Sequence, residues 1–395
     1  MKLRFFLFGL VGLLTCSHAS DWPQWRGPNR TGISAENVSV WPAGGPKVLW
    51  RASVGTGFSS FAISKGRVYT MGNAEEKDTI WCFDARTGKE IWRHTYAAAL
   101  GPQYYEGGPG STPTVSSNRV FTIGKWGDVF CLEPATGKIL WEHDLKKDGI
   151  KPNRWGFAGS PLIWNNLVIL NAGWAGTALE RGTGRLVWTT GTNATGYASP
   201  TMLNLDGKSM VLNFGAKNLI AVDPKSGHEL WRFPWETGYD TNNPDPLIYR
   251  NQVFISSYSR GCALLSVTPK AAQAVYTKDV LHNHLSPGVL LGEYLYAFNG
   301  EAKQTTDFRC IHLPTGELKW SRAEPAFGSL ICAGGKLIIL SEKGELVIGD
   351  ASPEGFKASA RAQVLGGLCW TPPALANGLL YARNAKGDVI CLELK

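Results

Sequence analysis

Two histidines separated by one residue, His282 and His284, alternate as side chains on a strand do and could face one metal ion. A bound metal needs at least a third ligand, and none is identifiable from spacing. The carboxylate pairs Asp144/Asp148 and Asp240/Asp245 could divide acid and base roles. Both sit in turn-rich segments, where acids more often hold loops. No Gly-rich phosphate loop, nucleophile elbow or zincin motif occurs. A broader grouping lies in the long segments between β-rich stretches: Tyr105 and Glu106, Arg154 and Trp155, Tyr197, Asp240 and Asn243, His284, and Trp370. Rings interspersed with a few polar groups make a ligand mouth if these segments converge, and are loop packing if they do not. No catalytic residue and no metal set is assigned.

The elements that must position these residues come from an internal repeat. CFDARTGKEIW (82–92), CLEPATGKILW (131–141), ALERGTGRLVW (178–188), AVDPKSGHELW (221–231) and CIHLPTGELKW (310–320) share one frame. A small residue opens each, and a Trp lies ten positions on. Between them stands a turn in which Gly accepts positive φ and, in all but the fifth copy, an acid can accept from turn amides. The tryptophans are spaced by 49, 47 and 43 residues, then by 89, which is two units. The hidden unit ends near Tyr276, where Thr268-Pro269 replaces the acidic turn. A degenerate copy surrounds Gly349-Asp350, and the last breaks off after Cys391 without its Trp. The segment 46–54, with Trp50, reads as the missing outer strand. If it completes the last unit, the ring closes and no sheet edge remains open. Thr112-Pro113, Ser160-Pro161, Ser199-Pro200, Ser286-Pro287 and Thr371-Pro372 open the innermost strands, where Pro loses no ladder bond. The fold expected is all-β: an eight-bladed propeller of four-stranded antiparallel blades.

Lys2 and Arg4 precede an apolar stretch from Phe5 to Leu14, with Ser17 and Ala19 behind it, the layout of a signal peptide cleaved after Ala19. Lipid anchoring at Cys16 is the alternative. The expected organisation is a signal peptide (1–19), an N-terminal arm (20–45) and one propeller (46–395). The arm lies outside the repeats, so deleting residues 21–40 is expected to cost little. Export to the periplasm or the exterior places seven cysteines in an oxidising space. Cys82, Cys131, Cys310 and Cys391 hold the same small buried position in different blades, too far apart to pair, so free thiols are expected. The net charge of +8 comes from 40 basic and 32 acidic residues scattered without blocks, which argues against a nucleic-acid partner. No internal apolar run is long enough to span a bilayer. A monomer is expected, with an envelope protein or a small-molecule ligand as partner.

The Ala-x-Asp-x-x-Thr-Gly-x-x-x-Trp repeat resembles the tryptophan-docking repeat of quinoprotein-type propellers. Two kinds of protein carry it: pyrroloquinoline quinone dehydrogenases and the propeller lipoprotein of the outer-membrane β-barrel assembly machinery. DWPQWRGPNRTG, residues 21–32, resembles the leader of exported bacterial propellers labelled quinone-binding-like. The resemblance implies that Trp50, Trp92, Trp141, Trp188, Trp231 and Trp320 form a girdle, each wedged between a small residue and a neighbouring motif's Gly. It also implies either of two functions: a non-catalytic binding or assembly platform, or a dehydrogenase using pyrroloquinoline quinone and calcium. The chain departs from the dehydrogenases. It has no adjacent cysteines and no Cys-x-x-Cys-His for haem, and no calcium-binding triad can be placed by motif.

Overall fold

The computed structural model describes residues 20–302 and 304–394, so the signal-peptide segment and Cys16 lie outside the described residues. Eight sheets follow one another around a central channel. Seven are four consecutive antiparallel strands, in residues 62–97, 114–144, 162–189, 201–234, 247–278, 289–322 and 328–363, here blades one to seven. Blade eight takes three strands from 374–393, and its outer strand is Lys47–Ser53, paired antiparallel with Asp388–Glu393. That pairing satisfies two backbone edges at once and removes the only seam a linear chain would leave. Two 3-10 turns, Leu145–Asp148 and Gly238–Asp240, are the only helical elements among the described residues, and no helix is long and apolar enough to cross a membrane.

Six of the eight blades keep the same small-to-large pairing between the third and outer strands. Cys82 faces Trp92, Cys131 faces Trp141, Ala178 faces Trp188, Ala221 faces Trp231, Cys310 faces Trp320 and Cys391 faces Trp50, each beside a register shift. A Cβ built on Gly88 would come within 2.5 Å of the Trp50 ring; Gly137, Gly184 and Gly227 stand in the same relation to Trp92, Trp141 and Trp188, within 2.6 Å. These glycines also sit at φ near +70°, so both space and conformation exclude a side chain. Five of the indoles donate to a carbonyl of the next turn, for example Trp50 to Ala85 at 3.0 Å and Trp92 to Pro134 at 2.9 Å. Blade five uses Tyr276, whose hydroxyl donates to Leu313 O at 2.6 Å, and blade seven presents only Ala360 opposite Ile348. Trp231 faces the blade whose turn is lost, and its buried Nε1 has no partner. The turn acids act as expected: Asp84 Oδ1 accepts from the amides of Arg86 and Thr87, and Asp223 from those of Lys225 and Ser226.

All seven cysteines of the described chain are buried and free. Burial pushes their thiols up, to about 12 at Cys82 and Cys310, so none is poised as a nucleophile.

Residues 21–40, the arm outside the repeats, lie against the inner ends of several blades. Trp22 is buried and exchanges both backbone hydrogen bonds with Ile63 of blade one, at 2.8 and 2.9 Å. Pro23 O accepts from Val115 N of blade two, and Arg30 donates to Pro161 O at the start of blade three. Arg26, buried, donates to Gly288 O at the start of blade six at 2.7 Å. Ile33–Ser34 then adds as a parallel fifth strand to blade seven, and the Glu36 carboxylate accepts from Asn377 N and Gly378 N of blade eight. A propeller leaves inward-facing backbone groups at its hub, and the leader satisfies them.

Candidate functional site

Innermost strands are only three to six residues long, and their leading hydroxyls knit neighbouring blades. Ser60 N donates to Thr112 Oγ1 at 3.1 Å, Thr112 N to Ser160 Oγ at 2.9 Å, Ser160 N to Ser199 Oγ at 3.1 Å, and Ser199 N to Asp245 Oδ1 at 2.7 Å. Asp245-Pro246 therefore takes the place in blade five that Ser-Pro or Thr-Pro takes elsewhere. Its second carboxylate oxygen accepts from Trp25 Nε1 at 2.6 Å. This bond ties the leader to the ring, and the Trp25 indole becomes part of the wall of a cavity of about 540 Å³.

Seven of the nine candidate residues line this cavity: Tyr105, Arg154, Trp155, Tyr197, Asn243, His284 and Trp370. Glu106 and Asp240 do not. Glu106 leaves one buried carboxylate oxygen without a partner, and Asp240 belongs to the 3-10 turn beside Tyr239. Phe58, Trp25, Tyr258, Glu301 and Asp245 join the lining. Trp25 comes from the leader, Phe58 from the connection after the closing strand, and Tyr258 and Glu301 from hairpins inside blades. Only Asp245 carried a usable signal, the acid-Pro pair in register with the Ser-Pro and Thr-Pro pairs.

The rings are fixed from behind. Lys125 is buried and donates from Nζ to Gly101 O at 2.6 Å and to the Tyr105 hydroxyl at 2.8 Å; burial lowers its pKa to about 8. The Tyr105 hydroxyl donates in turn to Trp155 O at 3.2 Å, and the Trp155 indole donates to Gln103 O at 2.9 Å. Asn242 holds the next connection by donating to Gly215 O, Ala216 O and Trp235 O, while its own carbonyl accepts from Tyr197 N. Phe58 packs between Tyr105 and Trp370, with ring centroids 5.5 Å away on each side.

The polar groups fall into two kinds. His284 accepts from Ala302 N at Nδ1, 3.1 Å, and burial lowers its pKa to about 4, so at neutral pH it is an uncharged imidazole whose proton lies on Nε2. His282 is turned elsewhere: Nδ1 donates to Tyr258 O at 2.8 Å and Nε2 meets Asp279 at 2.8 Å. Arg154 stands at the mouth over the faces of Tyr104, Trp155 and Tyr239, 5.2 to 5.6 Å from each centroid. Its Nη2 reaches the Tyr104 hydroxyl at 3.5 Å. Asn243 keeps one buried amide oxygen without a donor. The pair Asp144/Asp148 lies far outside: Asp144 caps the turn at Lys146 N, and Asp148 meets His143 Nε2 at 2.5 Å.

The family model described as outer membrane protein assembly factor BamB matches residues 76–322. The chain belongs to this family. Among curated proteins, an outer membrane protein assembly factor BamB of Burkholderia pseudomallei is 27% identical over 194 residues, covering 47% of this chain and 45% of that protein. A quinoprotein ethanol dehydrogenase of Pseudomonas putida is 26% identical over 152 residues, covering 33% of this chain and 24% of the relative. Both matches span less than half the relative's length. The solved structure of BamB from Moraxella catarrhalis superposes with a TM-score of 0.67 at 17% identity, over 88% of this chain and 99% of that one, which shows a shared fold.

Two carboxylates and the unpartnered Asn243 amide belong to the cavity lining. Of the two lining carboxylates, Asp245 is engaged at both oxygens by Ser199 N and Trp25 Nε1, and Glu301 accepts from Gln304 Nε2 at 2.5 Å. No group of three His, Cys, Asp or Glu side chains that could hold a metal forms among the described residues.

Proposed function

We propose that this protein is an exported, non-catalytic binding platform whose recognition site is the aromatic cavity at the channel mouth. The observation that carries this reading is the engagement of the cavity's acids and imidazole in the scaffold. Asp245, Glu301 and His284 each serve a structural hydrogen bond, while the rings and the Arg154 guanidinium line the open space. A surface so built is arranged to bind and not to move protons. Export rests on the layout of residues 1–19, and the docking of Trp50, Trp92, Trp141 and Trp188 on neighbouring glycines supports the rigid ring that such a platform needs. The protein acts as a monomer, with the envelope as its workplace.

The second reading, a quinone dehydrogenase, draws support from the names of the curated relatives. Purified protein supplied with pyrroloquinoline quinone and calcium is expected to reduce no dye acceptor over an alcohol panel; turnover would overturn the platform reading. Immobilised protein is expected to retain a specific component of envelope extract that Trp155→Ala no longer retains. Equal retention by both forms would count against the cavity as the site.

A further inference from the structure

Resting on that reading, we propose that Trp25, supplied by the leader, is the specificity-determining residue of the cavity: its indole ends the open space and sets how long a ligand the site accepts. Three observations converge on this residue. The first is its place between two spaces. Trp25 and Pro372 line the cavity of about 540 Å³, and the same two residues line a second space of about 10 Å³, room for one water at most. The indole and the proline ring therefore stand as a partition. On the solvent side the large cavity is bounded by Tyr104 and Tyr239, which are 80% and 69% exposed. Beyond the partition lie Trp22, Arg26, Leu330 and Ile331, all buried. A ligand entering from solvent meets Trp25 as a stop.

The second observation is how firmly the indole is placed. Its Nε1 donates to Asp245 Oδ2 at 2.6 Å, and Asp245 Oδ1 accepts from Ser199 N at 2.7 Å, so the ring is tied to the inner ends of blades four and five. The next residue, Arg26, stands at φ +60°, a left-handed conformation that is unfavourable for a residue with a Cβ. Its guanidinium holds that bend by donating to Thr31 O at 2.8 Å, Gly288 O at 2.7 Å and Arg30 O at 3.2 Å. Two adjacent side chains are thereby sent to different tasks. Arg26 closes the leader on itself and on blade six, and Trp25 is left at the cavity wall. Backbone strain of this kind collects where a side chain has to be aimed.

The third observation is what the indole has left to offer. Nε1 is the only polar atom of a tryptophan side chain, and here it is committed to Asp245. Toward the cavity Trp25 can present carbon alone, so it discriminates by size and not by hydrogen bonding or charge. The ring cannot swing aside for a longer ligand without breaking a charge-assisted bond and leaving the buried Asp245 oxygen without its donor.

The test uses a series of 4-alkylphenols, from ethyl to octyl, as neutral probes of graded length, with binding read by isothermal titration. In the native protein the affinity is expected to rise by about fourfold for each added methylene and then to stop rising at a definite chain length. Trp25→Ala, with its far-ultraviolet dichroism unchanged, is expected to move that ceiling out by several methylenes and to leave the shortest probes little changed. Trp25→Phe keeps a ring of smaller reach, so its ceiling is expected to fall between the two, and it carries the test if the alanine variant does not fold. A ceiling unmoved in the variant or variants that fold would overturn the assignment. So would a native affinity that climbs through the whole series, or no saturable binding of any probe to the native protein. The platform reading is judged apart, by retention of an envelope component that Trp155→Ala loses. That retention together with an unmoved ceiling removes only the role of Trp25, whereas equal retention by both forms removes the cavity as the recognition site.

Discussion

At the scale of single residues, two side chains expose how finely each blade is balanced. Trp92 and Trp231 are equally buried on equivalent strands, but only Trp92 has an acceptor, Pro134 O at 2.9 Å. Replacing Trp92 by Phe leaves Pro134 O only the longer hydrogen bond from the Tyr69 hydroxyl at 3.4 Å, whereas replacing Trp231 removes a donor that already lacks a partner. Trp92→Phe is therefore expected to cost about 1–2 kcal/mol more than Trp231→Phe in urea denaturation. Asp78 gives a pH-dependent counterpart. It is buried between Asn73 Nδ2 at 2.7 Å and the Tyr96 hydroxyl at 3.3 Å, and burial raises its pKa to about 6 despite both hydrogen bonds. The folded state thus binds its proton more tightly than the unfolded chain. Stability from this group is present in full below the unfolded value near 3.8 and lost as pH rises through about 6. Asp78→Asn keeps the shape and both hydrogen-bonding neighbours. Its stability relative to the native protein is expected to climb between pH 4 and 7, by up to about 3 kcal/mol. A difference that stays flat across that interval would show that Asp78 titrates normally.

At the scale of elements, the leader matters more than its position outside the repeats suggests. Trp22 and Arg26 are buried, and the segment hydrogen-bonds to blades one, two, three, six, seven and eight as well as to Asp245. Trp22→Ala is expected to cost about 3–5 kcal/mol, as for other fully buried aromatic rings. Deleting residues 21–34 is expected to leave a protein that exposes hydrophobic surface to a reporter dye, because the inner blade ends lose the leader. Undiminished thermal stability after that deletion would show that the leader is an accessory.

At the scale of the whole molecule, the ring is held at its seam by two devices. The strand Lys47–Ser53 supplies the outer edge of blade eight, and its Trp50 reaches Ala85 of blade one. Arg383, fully buried in blade eight, donates to Ser59 O, Met71 O and Gly55 O around blade one; burial lowers its pKa to about 9, leaving it charged at neutral pH. A buried cation held by carbonyls and the Thr70 hydroxyl is costly to create, and costly to remove once those groups depend on it. Trp50→Ala is expected to lose about 3–5 kcal/mol. Arg383→Met is expected to lose a comparable amount, with both variants unfolding at lower urea and with a steeper rise in unfolding rate than in loss of folding rate. A change confined to the folding rate would mean that the seam forms early and not last.

Much of this architecture was legible in residues alone. Most blades bury a large ring against a small residue on the adjoining strand, so the pairing recurs at a fixed distance, and its spacing yields eight blades and the closing strand at Trp50. The sequence also located seven residues of the cavity wall, since connections between blades return to the channel at one end. Tertiary structure alone decided which connections reach the centre. Glu106 and Asp240 share loops with Tyr105 and Asn243 yet fall outside the lining, because a loop's path depends on its neighbours around the closed ring. It also decided the leader: nothing local in Asp21 to Gly32 announces that Trp25 will meet Asp245, 220 residues away. Repetition is a local constraint and is written in every blade. The docked leader and the cavity arise only where eight blades meet, from contacts that no single repeat contains.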